Sequence, residues 1–456
     1  FQLGIIPSKN AYNQLELFRA ALPCNTVELK DYDLFLTTSD AALCFFFKEA
    51  LSKDEESAFQ IRFTDRQGIP VAIDPADVPM QTNRINNRNK FVLGPSGSGK
   101  SFFMNALIEQ YCMYNNSSKN AKWLMDVVIV DTGHSYSGLC SYYRGKYITY
   151  TEEKPITMNP FAITEEEYNI EKKDFLKTLI SLLWKGADGI VSQVESDMIA
   201  QVISSYYSHV FNKDDKDKES IIMNFNSFYD FALEKIPAIK EEERVPFDID
   251  EFRYVLKKFY KGGEFDALLN EAVDGSLFTA SFVVFEIDSI KEHKTLFPIV
   301  TLIIMDVFIQ KMRFREGIRK ALIIEEAWKA IASPLMAGYI LYLYKTVRKF
   351  WGEAIVVTQE LGDIIGNVVV KDSIISNSDT VILLDQTKFK DNFDEIAKIL
   401  SINQHERKKI FTINQLNNTD NRGRFKEVYI RRGAVGEVYG IEVSLYQYLA
   451  FTTEKP

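Results

Sequence analysis

Eight consecutive residues carry the clearest chemistry in the sequence. They fit the pattern G-x-x-x-x-G-K-[ST] at every position and are Gly94, Pro95, Ser96, Gly97, Ser98, Gly99, Lys100 and Ser101. In such a loop the glycines let successive backbone N–H groups turn inward around a phosphate, and the lysine adds a positive charge. The serine hydroxyl is suited to bind the Mg²⁺ that accompanies the nucleotide. We therefore predict that residues 94–101, with the adjoining Phe102, bind a nucleoside triphosphate and Mg²⁺.

A pair of acids ends a later apolar run, "ALIIEEAW", which begins at Ala321. We predict that Glu325 holds the hydrated Mg²⁺ and that Glu326 is the catalytic residue that polarises the attacking water. Because successive strand residues point to opposite sides, we expect the two carboxylates to take different roles. A kinase or a Ras-like GTPase would not need the second acid. The alternative is that the two acids begin a solvated helix, where acids are also favoured.

Two further polar residues follow apolar runs. Gln359 ends "AIVVTQ", where its amide is suited to sense the γ-phosphate or to position water, or is a plain polar residue at a strand end. Asp131 in "VIVDTGHSY" either neighbours the water shell of the metal or caps the next turn. We keep both readings of Asp131 open.

An arginine from a neighbouring subunit would complete a ring-shaped ATPase by neutralising charge in the transition state. Arg348 in "LYKTVRKFWG" is the first candidate because it lies just upstream of the run that ends at Gln359. A basic helix face is also typical of a solvated or pore-lining surface. Arg431 and Arg432 are weaker candidates for the same role.

The elements that must position these residues are short β-branched runs, each ending in a polar residue. Such runs are typical of a parallel sheet covered by helices, and ligands bind at the carboxyl ends of its strands. They are "KFVLG", "DVVIVDTGHS", "SFVVFEID", "ALIIEEAW", "EAIVVTQE" and "DTVILLD". The sequence therefore predicts an α/β fold with the candidate residues gathered at one edge of the sheet.

A stretch of different character separates the runs, at residues 159–275. It contains helical patterns in "FLKTLISLLW", "FNSFYDFALEKI" and "DEFRYVLKKFY". Apolar residues at a spacing of four predict one buried helical stripe through Ile190, Val194, Met198, Val202, Tyr206 and Val210. We interpret this stretch as an all-helical insertion in the α/β core.

The domain division follows from these patterns. Residues 1–80 form an N-terminal β-containing segment, with a hairpin around "DRQG", and are interpreted as the end of a truncated domain. The α/β core occupies residues 81–158 and 276–456, and a second hairpin turns at "RRGAVG". The sequence begins at Phe1, and we expect it to be part of a longer protein.

Composition narrows the class of protein. The net charge is −9, with 54 Lys and Arg against 63 Asp and Glu, which argues against a free-standing nucleic-acid coat. The four cysteines form no C-x-x-C pair, and we predict buried or half-buried reduced thiols. The longest apolar run, "LFPIVTLIIMDVF", is interrupted by Asp306 and is too short to span a bilayer.

The set and order of motifs resemble the conjugative-transfer ATPases of type IV secretion systems, which are related to HerA/FtsK-type P-loop motors. The resemblance covers residues 80–440 and rests on "FVLGPSGSGKSFFMNALIEQY", "VVIVDTGHSYSGLC", "MNPFAI", "VVFEID", "LIIEEAW" and "TVRKFWGEAIVVTQELGDII". The Asn-rich and Lys-rich composition and "DTGHSY" resemble the branch found on conjugative transposons. The chain matches the C-terminal ATPase portion of that family.

The resemblance implies a RecA-like ATPase core with an inserted helical domain, using ATP and Mg²⁺. It implies a homo-hexamer at the cytoplasmic face of the bacterial inner membrane that powers transfer of DNA or protein, or pilus assembly. Inner-membrane and channel components would be its partners, with DNA substrate or a coupling ATPase as further ones. Lys100, Ser101, Glu325, Glu326 and Gln359 match the family's functional positions, and Glu325 departs from the commoner Asp.

Two other functions fit the same residues. One is an assembly scaffold that binds ATP with little turnover, and the other is a free cytosolic DNA translocase of the same superfamily. Turnover separates the scaffold from the motor, and salt-sensitive stimulation by DNA indicates direct handling of DNA.

Overall fold

A computed structural model describes residues 14–25, 27, 29, 36–43, 53–117, 125–151, 156–212, 222–271, 274–326, 334–359, 374–415 and 424–452. The chain divides into two units, Phe1–Ser52 and Lys53–Pro456. The described residues of the first unit include two short helices, α1 (Gln14–Ala20) and α2 (Ser39–Leu43). The candidate residues all lie in the second unit.

Eleven strands of the second unit form one sheet. In chain order they are β1 (Ile61–Thr64), β2 (Pro70–Ile73), β3 (Lys90–Leu93), β4 (Met125–Asp131), β5 (Lys146–Thr149), β6 (Phe282–Glu286), β7 (Arg319–Glu325), β8 (Gly352–Thr358), β9 (Thr380–Leu383), β10 (Phe425–Arg432) and β11 (Val435–Glu442). Their order across the sheet is β2-β1-β11-β10-β9-β3-β8-β7-β4-β6-β5.

The seven strands from β9 to β5 run parallel. Each of the six apolar runs predicted from the sequence is one of these strands, and β5 is a seventh that the sequence analysis did not identify. Strand β8 lies between β3, which precedes the phosphate loop, and β7, which ends in the acid pair. The predicted α/β class with a mainly parallel sheet is confirmed.

The remaining four strands extend the sheet in antiparallel fashion. They come from the two hairpins that the sequence predicted, β1–β2 and β10–β11, and Thr64 of the first pairs with Gly440 of the second. The hairpin that the sequence analysis grouped with residues 1–80 thus belongs to the sheet, and the boundary at residue 80 lies inside the second unit. This pairing joins residues far apart in the chain and leaves no local signal.

Helices cover the sheet on both sides. In chain order they are α3 (Asp77–Gln81), α4 (Lys100–Ser117), α5 (Ser137–Tyr142), α6 (Ile170–Lys185), α7 (Gln193–Phe211), α8 (Phe225–Glu243), α9 (Ile249–Leu256), α10 (Asp266–Asn270), α11 (Ser276–Thr279), α12 (Leu296–Phe314), α13 (Pro334–Val347), α14 (Phe393–Ile399), α15 (Gln404–Ile410) and α16 (Leu445–Phe451). Between β5 and β6 the described residues form helices and connecting turns only, in the stretch where the sequence predicts a helical insertion.

The two faces of the sheet bury two separate apolar cores because strand side chains alternate. Phe91 and Leu93 of β3 pack with the helices of the 159–275 stretch and with α12. Val92, between them, packs on the other face with α4 and the two hairpins. The phosphate-loop strand is therefore buried on both sides.

One buried ion pair joins the helical stretch to the core. The Nζ of Lys172 in α6 lies 2.5 Å from the Oδ2 of Asp306 in α12, and both side chains are about 5% exposed. Asp306 also accepts a hydrogen bond from the Nε2 of Gln310 at 2.5 Å. Asp306, the charge that interrupts the longest apolar run, thus binds Lys172 and holds α6 against α12. Among the described residues no helix is long and apolar enough to cross a membrane.

Two local predictions differ from the structure. Helix α7 begins only at Gln193, after a capping box at Ser192, so Ile190, predicted to be part of the buried stripe, lies outside the helix and is 89% exposed. Val194 in the first turn is 40% exposed, and the other four stripe residues are buried. Cys112 and Cys140 are buried as predicted, Cys24 is exposed, and Cys44 lies outside the described residues.

Candidate functional site

The phosphate loop connects β3 to α4 and takes the path that its glycines permit. Gly97 and Gly99 have left-handed backbones, with φ of +82° and +90°. The N–H of Gly94 donates to the carbonyl of Thr358 at 3.0 Å, which fixes the start of the loop against the end of β8. Within the loop the N–H of Ser98 donates to the carbonyl of Pro95 at 2.9 Å.

Lys100 begins α4 and contacts both acids of the pair. Its Nζ lies 2.8 Å from Oε1 of Glu325 and 2.9 Å from Oε1 of Glu326. Burial lowers the pKa of Lys100, but the two carboxylates outweigh it and the pKa is raised overall. The loop lysine and the two acids, 225 and 226 residues apart in the chain, therefore form one charged cluster.

The two carboxylates reach the same lysine because the strand ends between them. Glu325 is the last residue of β7 and is buried, whereas Glu326 has a left-handed φ of +55° and is half-exposed. This φ is rare for a residue with a side chain and marks a backbone held by its surroundings. The N–H of Glu326 donates to the carbonyl of Val357 in β8 at 3.2 Å. The expected alternation of the two side chains is therefore wrong, because the alternation stops at Glu325.

Two further carboxyl groups end the neighbouring strands. Asp131 ends β4 and Glu286 ends β6, and both are buried. Burial raises the pKa of Asp131 strongly, and the nearby charges of Glu325 and Glu286 raise it further. Asp131 also caps its own turn by accepting from the N–H of Gly133 at 3.2 Å and of Ser135 at 2.6 Å. The turn-capping geometry that the sequence left open is therefore present, beside the acid pair.

Gln359 directly follows β8 and is half-buried. In the register of the sheet, Thr358 lies opposite Leu93 and Val357 lies opposite Glu325. Gln359 thus leaves the sheet between the phosphate loop and the acid pair, at the edge where the sequence predicts it.

The three candidate arginines lie elsewhere. Arg348 is exposed and precedes β8, at the amino end of a seven-residue strand whose carboxyl end meets the phosphate loop. At ~3.3 Å per residue the strand separates Arg348 from the loop of its own chain by roughly 20 Å. Arg431 donates to the carbonyls of Leu400 and Ser401. Arg432 is buried, and donates to Glu55 at 2.5 Å.

Phe102, after the phosphate loop, is half-buried beneath the C-terminal helix α16. Its ring centroid lies 6.4 Å from that of Tyr448 and 6.3 Å from that of Phe451. The C-terminal segment therefore packs on the first turn of α4.

The structure adds residues to the site that the sequence analysis did not select. Tyr136 donates its hydroxyl hydrogen bond to Oε2 of Glu325, and Lys388 donates to the carbonyl of Ser96 at 2.5 Å. The side-chain stem of Lys426 lies 3.3 Å from where a Cβ on Gly99 would be. Tyr136 was within reach of sequence reasoning, since it closes the "DTGHSY" turn that Asp131 opens. Lys388 and Lys426 could not be predicted from the sequence, because the folded sheet is what brings them to the loop.

The residues present suit a magnesium ion bound with a nucleotide. Ser101 and Glu325 supply a hydroxyl and a carboxylate, which are the oxygen ligands that Mg²⁺ prefers. Among the described residues no cluster of three or more His, Cys, Asp or Glu is arranged to hold a metal by itself. Mg²⁺ at a nucleotide site needs no such cluster, because phosphates and water supply its other ligands.

Comparison with known sequences gives a family and two relatives. A family model described as the TraG P-loop domain matches residues 60–456. The type IV secretion system protein virB4 of Bartonella quintana (strain Toulouse) is 22% identical over 311 residues, which are 67% of this chain and 35% of that protein. The virB4 protein of Bartonella henselae (strain Houston 1) gives the same identity and coverage. The chain thus spans about a third of the length of these relatives.

Comparison with solved structures supports the fold. VirB4 of Thermoanaerobacter pseudethanolicus is similar with a TM-score of 0.62 and 19% identity, over 87% of this chain and 100% of that one. The bacterial conjugative coupling protein TrwBdeltaN70 gives a TM-score of 0.51 and 14% identity, over 88% and 92% of the two chains. TrwB in complex with ADP and Mg²⁺ gives a TM-score of 0.50 and 13% identity, over 86% of this chain and 90% of that one. The fold is that of RecA-like P-loop ATPases.

Proposed function

Because the chain belongs to the TraG P-loop domain family, we propose that it is the ATP-hydrolysing part of a type IV secretion or conjugation motor. The observation that carries this proposal is the cluster of Lys100 with Glu325 and Glu326, at 2.8 and 2.9 Å. It joins a phosphate loop to a pair of acids at one edge of a parallel sheet, which is the arrangement that ATP hydrolysis needs.

The roles of the residues follow from their positions. Lys100 exchanges its two carboxylate partners for the β- and γ-phosphates when ATP binds, which leaves Glu326 able to orient water. Ser101 and Glu325 hold the magnesium ion, whose charge offsets that of the phosphates when it is bound. Gln359, which leaves the sheet between the loop and the acids, contacts the γ-phosphate or the attacking water.

We assign Arg348 to the site of a neighbouring subunit in a homo-hexameric ring. Its distance of roughly 20 Å from the loop of its own chain excludes a role there without rearrangement. In a head-to-tail ring each subunit presents a different face to each neighbour, so an exposed arginine at the amino edge of the sheet is free to enter the next site.

The first experiment separates a motor from an ATP-binding scaffold. Steady-state phosphate release is measured for the wild-type chain, for Lys100→Ala, and for Lys235→Ala, which removes an exposed lysine of α8 as a control. We expect sustained turnover by the wild type and by Lys235→Ala and none by Lys100→Ala. ATP binding with phosphate release no higher than that of Lys100→Ala would refute the motor and favour the scaffold.

A mixing experiment tests the role of Arg348. Lys100→Ala and Arg348→Ala are each expected to be inactive as pure oligomers. In an equal mixture about one quarter of the interfaces pair an intact loop with an intact arginine, so about one quarter of the activity should return. A mixture as inactive as either variant would refute action across the interface.

We further propose that the ring works at the cytoplasmic face of the bacterial inner membrane, with inner-membrane and channel components of the apparatus as partners. It would power transfer of DNA or protein, or pilus assembly. Measuring phosphate release with and without DNA at rising salt concentration tests whether the motor acts on DNA. Stimulation that falls as salt rises indicates direct contact with DNA, and its absence favours a protein cargo or pilus assembly.

A further inference from the structure

The two proposed magnesium ligands lie on different elements and have to be held at a fixed separation. Ser101 is in the first turn of α4, and Glu325 ends β7, two strands away from β3. A third element, the turn that follows β4, is hydrogen-bonded to α4 through Asn105 and to Glu325 through Tyr136. This turn spans residues 131–136 and includes the "DTGHSY" motif that the proposed function leaves unexplained.

Tyr136 connects this turn to Glu325. Its side chain is fully buried, and its hydroxyl donates a hydrogen bond to Oε2 of Glu325. The other oxygen, Oε1, is held by Lys100 at 2.8 Å. Each carboxylate oxygen of Glu325 therefore has a partner, and the two partners come from different elements, α4 and the turn after β4.

Asn105 connects the same turn to Ser101. Its buried Nδ2 donates to the carbonyl of Ser101 at 2.9 Å and to the carbonyl of Ser135 at 3.0 Å. The turn itself is closed by Asp131, which accepts from the N–H of Ser135 at 2.6 Å. An unbroken chain of contacts thus runs from Ser101 through Asn105 and Tyr136 to Glu325.

We propose that Tyr136 is a positioning residue for the metal-binding carboxylate, and that Asn105 and Tyr136 together set the separation of Ser101 and Glu325. This inference rests on the proposed function. Its physical basis is the extra rotatable bond that a Glu side chain has compared with Asp. A glutamate has more rotamers to lose on binding a metal, and a buried hydroxyl that holds Oε2 removes that freedom in advance.

The perturbation is Tyr136→Phe, which removes one oxygen and keeps the ring. When nucleotide is bound and Lys100 has turned to the phosphates, Tyr136 is the remaining partner of the Glu325 carboxylate described above, so without the hydroxyl the carboxylate is free to rotate away from the metal. Loss of the hydrogen-bond partner of a metal ligand typically costs 10–100-fold in metal affinity, and we expect about 10-fold for this one hydroxyl. Affinity for the nucleotide without metal should not change, because the Tyr136 hydroxyl is hydrogen-bonded to Glu325 and not to the phosphate loop.

The measurement uses no turnover. Binding of Mn²⁺ to the ADP complex is titrated by electron paramagnetic resonance, and binding of a fluorescent ADP analogue is measured in EDTA. The matched control is Tyr147→Phe, which removes a hydroxyl that donates to Glu286 at 3.4 Å, at the same edge of the sheet. We expect unchanged Mn²⁺ affinity for that control.

A double-mutant cycle separates positioning from a general structural effect. In a Glu325→Asp background the shorter side chain does not reach the Tyr136 hydroxyl, so Tyr136→Phe should cause no further loss of Mn²⁺ affinity. An equal loss in both backgrounds would overturn the proposal. If the Tyr136→Phe variant does not fold, the same two binding measurements are made on Asn105→Ala. We expect it to weaken Mn²⁺ binding at unchanged ADP affinity in EDTA, and unchanged Mn²⁺ binding would overturn the proposal.

The failure of this inference is distinguishable from failure of the proposed function. Glu325→Ala that leaves Mn²⁺ affinity unchanged would refute the metal assignment itself. Glu325→Ala that weakens Mn²⁺ binding, with Tyr136→Phe equal to the wild type, would refute only the role of Tyr136.

Discussion

The buried pair of Lys172 and Asp306 gives a sharp prediction about stability. Replacing Lys172 with Met keeps most of the side-chain volume and removes the charge. Asp306, which is 6% exposed, then keeps the amide of Gln310 as a hydrogen-bond partner but loses the positive charge that balances its own. Breaking a buried pair from one side typically costs about 3–5 kcal/mol, because the remaining charge is left without compensation.

The double variant Lys172→Met/Asp306→Leu should not show this loss of stability. Replacing both members of a buried pair with apolar residues of similar size is often neutral or stabilising. We therefore expect the double variant to be more stable than Lys172→Met, by about 3 kcal/mol or more. The control is Lys177→Met on the same helix, whose Nζ lies 3.3 Å from the exposed Asp174. An exposed pair of this kind contributes about 0–1 kcal/mol.

Urea unfolding followed by tryptophan fluorescence measures these differences. Trp184 is buried at the end of α6, the helix that carries Lys172, and reports on its detachment. Transition midpoints are compared at equal slopes, so that a change in midpoint reflects stability. A single variant as stable as the double variant would refute the conclusion that the pair tethers α6 through a buried charge.

Three further predictions concern the site and its frame. The pKa of Asp131 is raised to about 9 in the folded chain, so the folded state keeps a proton that the unfolded state releases above about pH 4. The nucleotide-free protein should therefore lose thermal stability as pH rises from about 5 to 9, and Asp131→Asn should flatten that slope; an unchanged slope contradicts the shift. A Cβ at Gly433 would overlap the carbonyl of Arg84, so Gly433→Ala should lower the free energy of unfolding in urea by at least ~2 kcal/mol. The control Gly186→Ala has a similar φ of +75° and open space around it, and should lower that free energy by only ~1–2 kcal/mol. Gln359→Ala should lower the rate of phosphate release in a single turnover and leave ATP affinity unchanged, and a loss of affinity alone would contradict its assigned position.

Much of the fold was predictable because its signals are local. Six parallel strands are continuous apolar runs, and both hairpins carry their turn residues in the sequence. The loop and the acid pair were predictable as one site because the carboxyl ends of parallel strands meet at one edge. Strand β5 lacks a continuous apolar run and is only half-buried, which is why its pattern was not recognised.

Other features depend on contacts that no local pattern records. The pairing of Thr64 with Gly440 and the approach of Lys388 to Ser96 join residues that are about 300 or more positions apart. The left-handed backbone of Glu326 is set by the end of β7 and by its bond to Val357, so the alternation expected from a strand did not apply. Helix α7 starts later than the apolar spacing of Ile190 predicts because the capping box at Ser192 sets its first turn.

The central claim is that Glu326 activates water at a site formed by Lys100 and Glu325. It is tested most directly by Glu326→Gln, with Glu243→Gln at an exposed position as the control. ATP affinity and single-turnover phosphate release are measured on the same preparations. We predict that Glu326→Gln binds ATP like the wild type and releases phosphate at least about 100-fold more slowly, while the control is unchanged. Full retained turnover by Glu326→Gln would contradict the assignment.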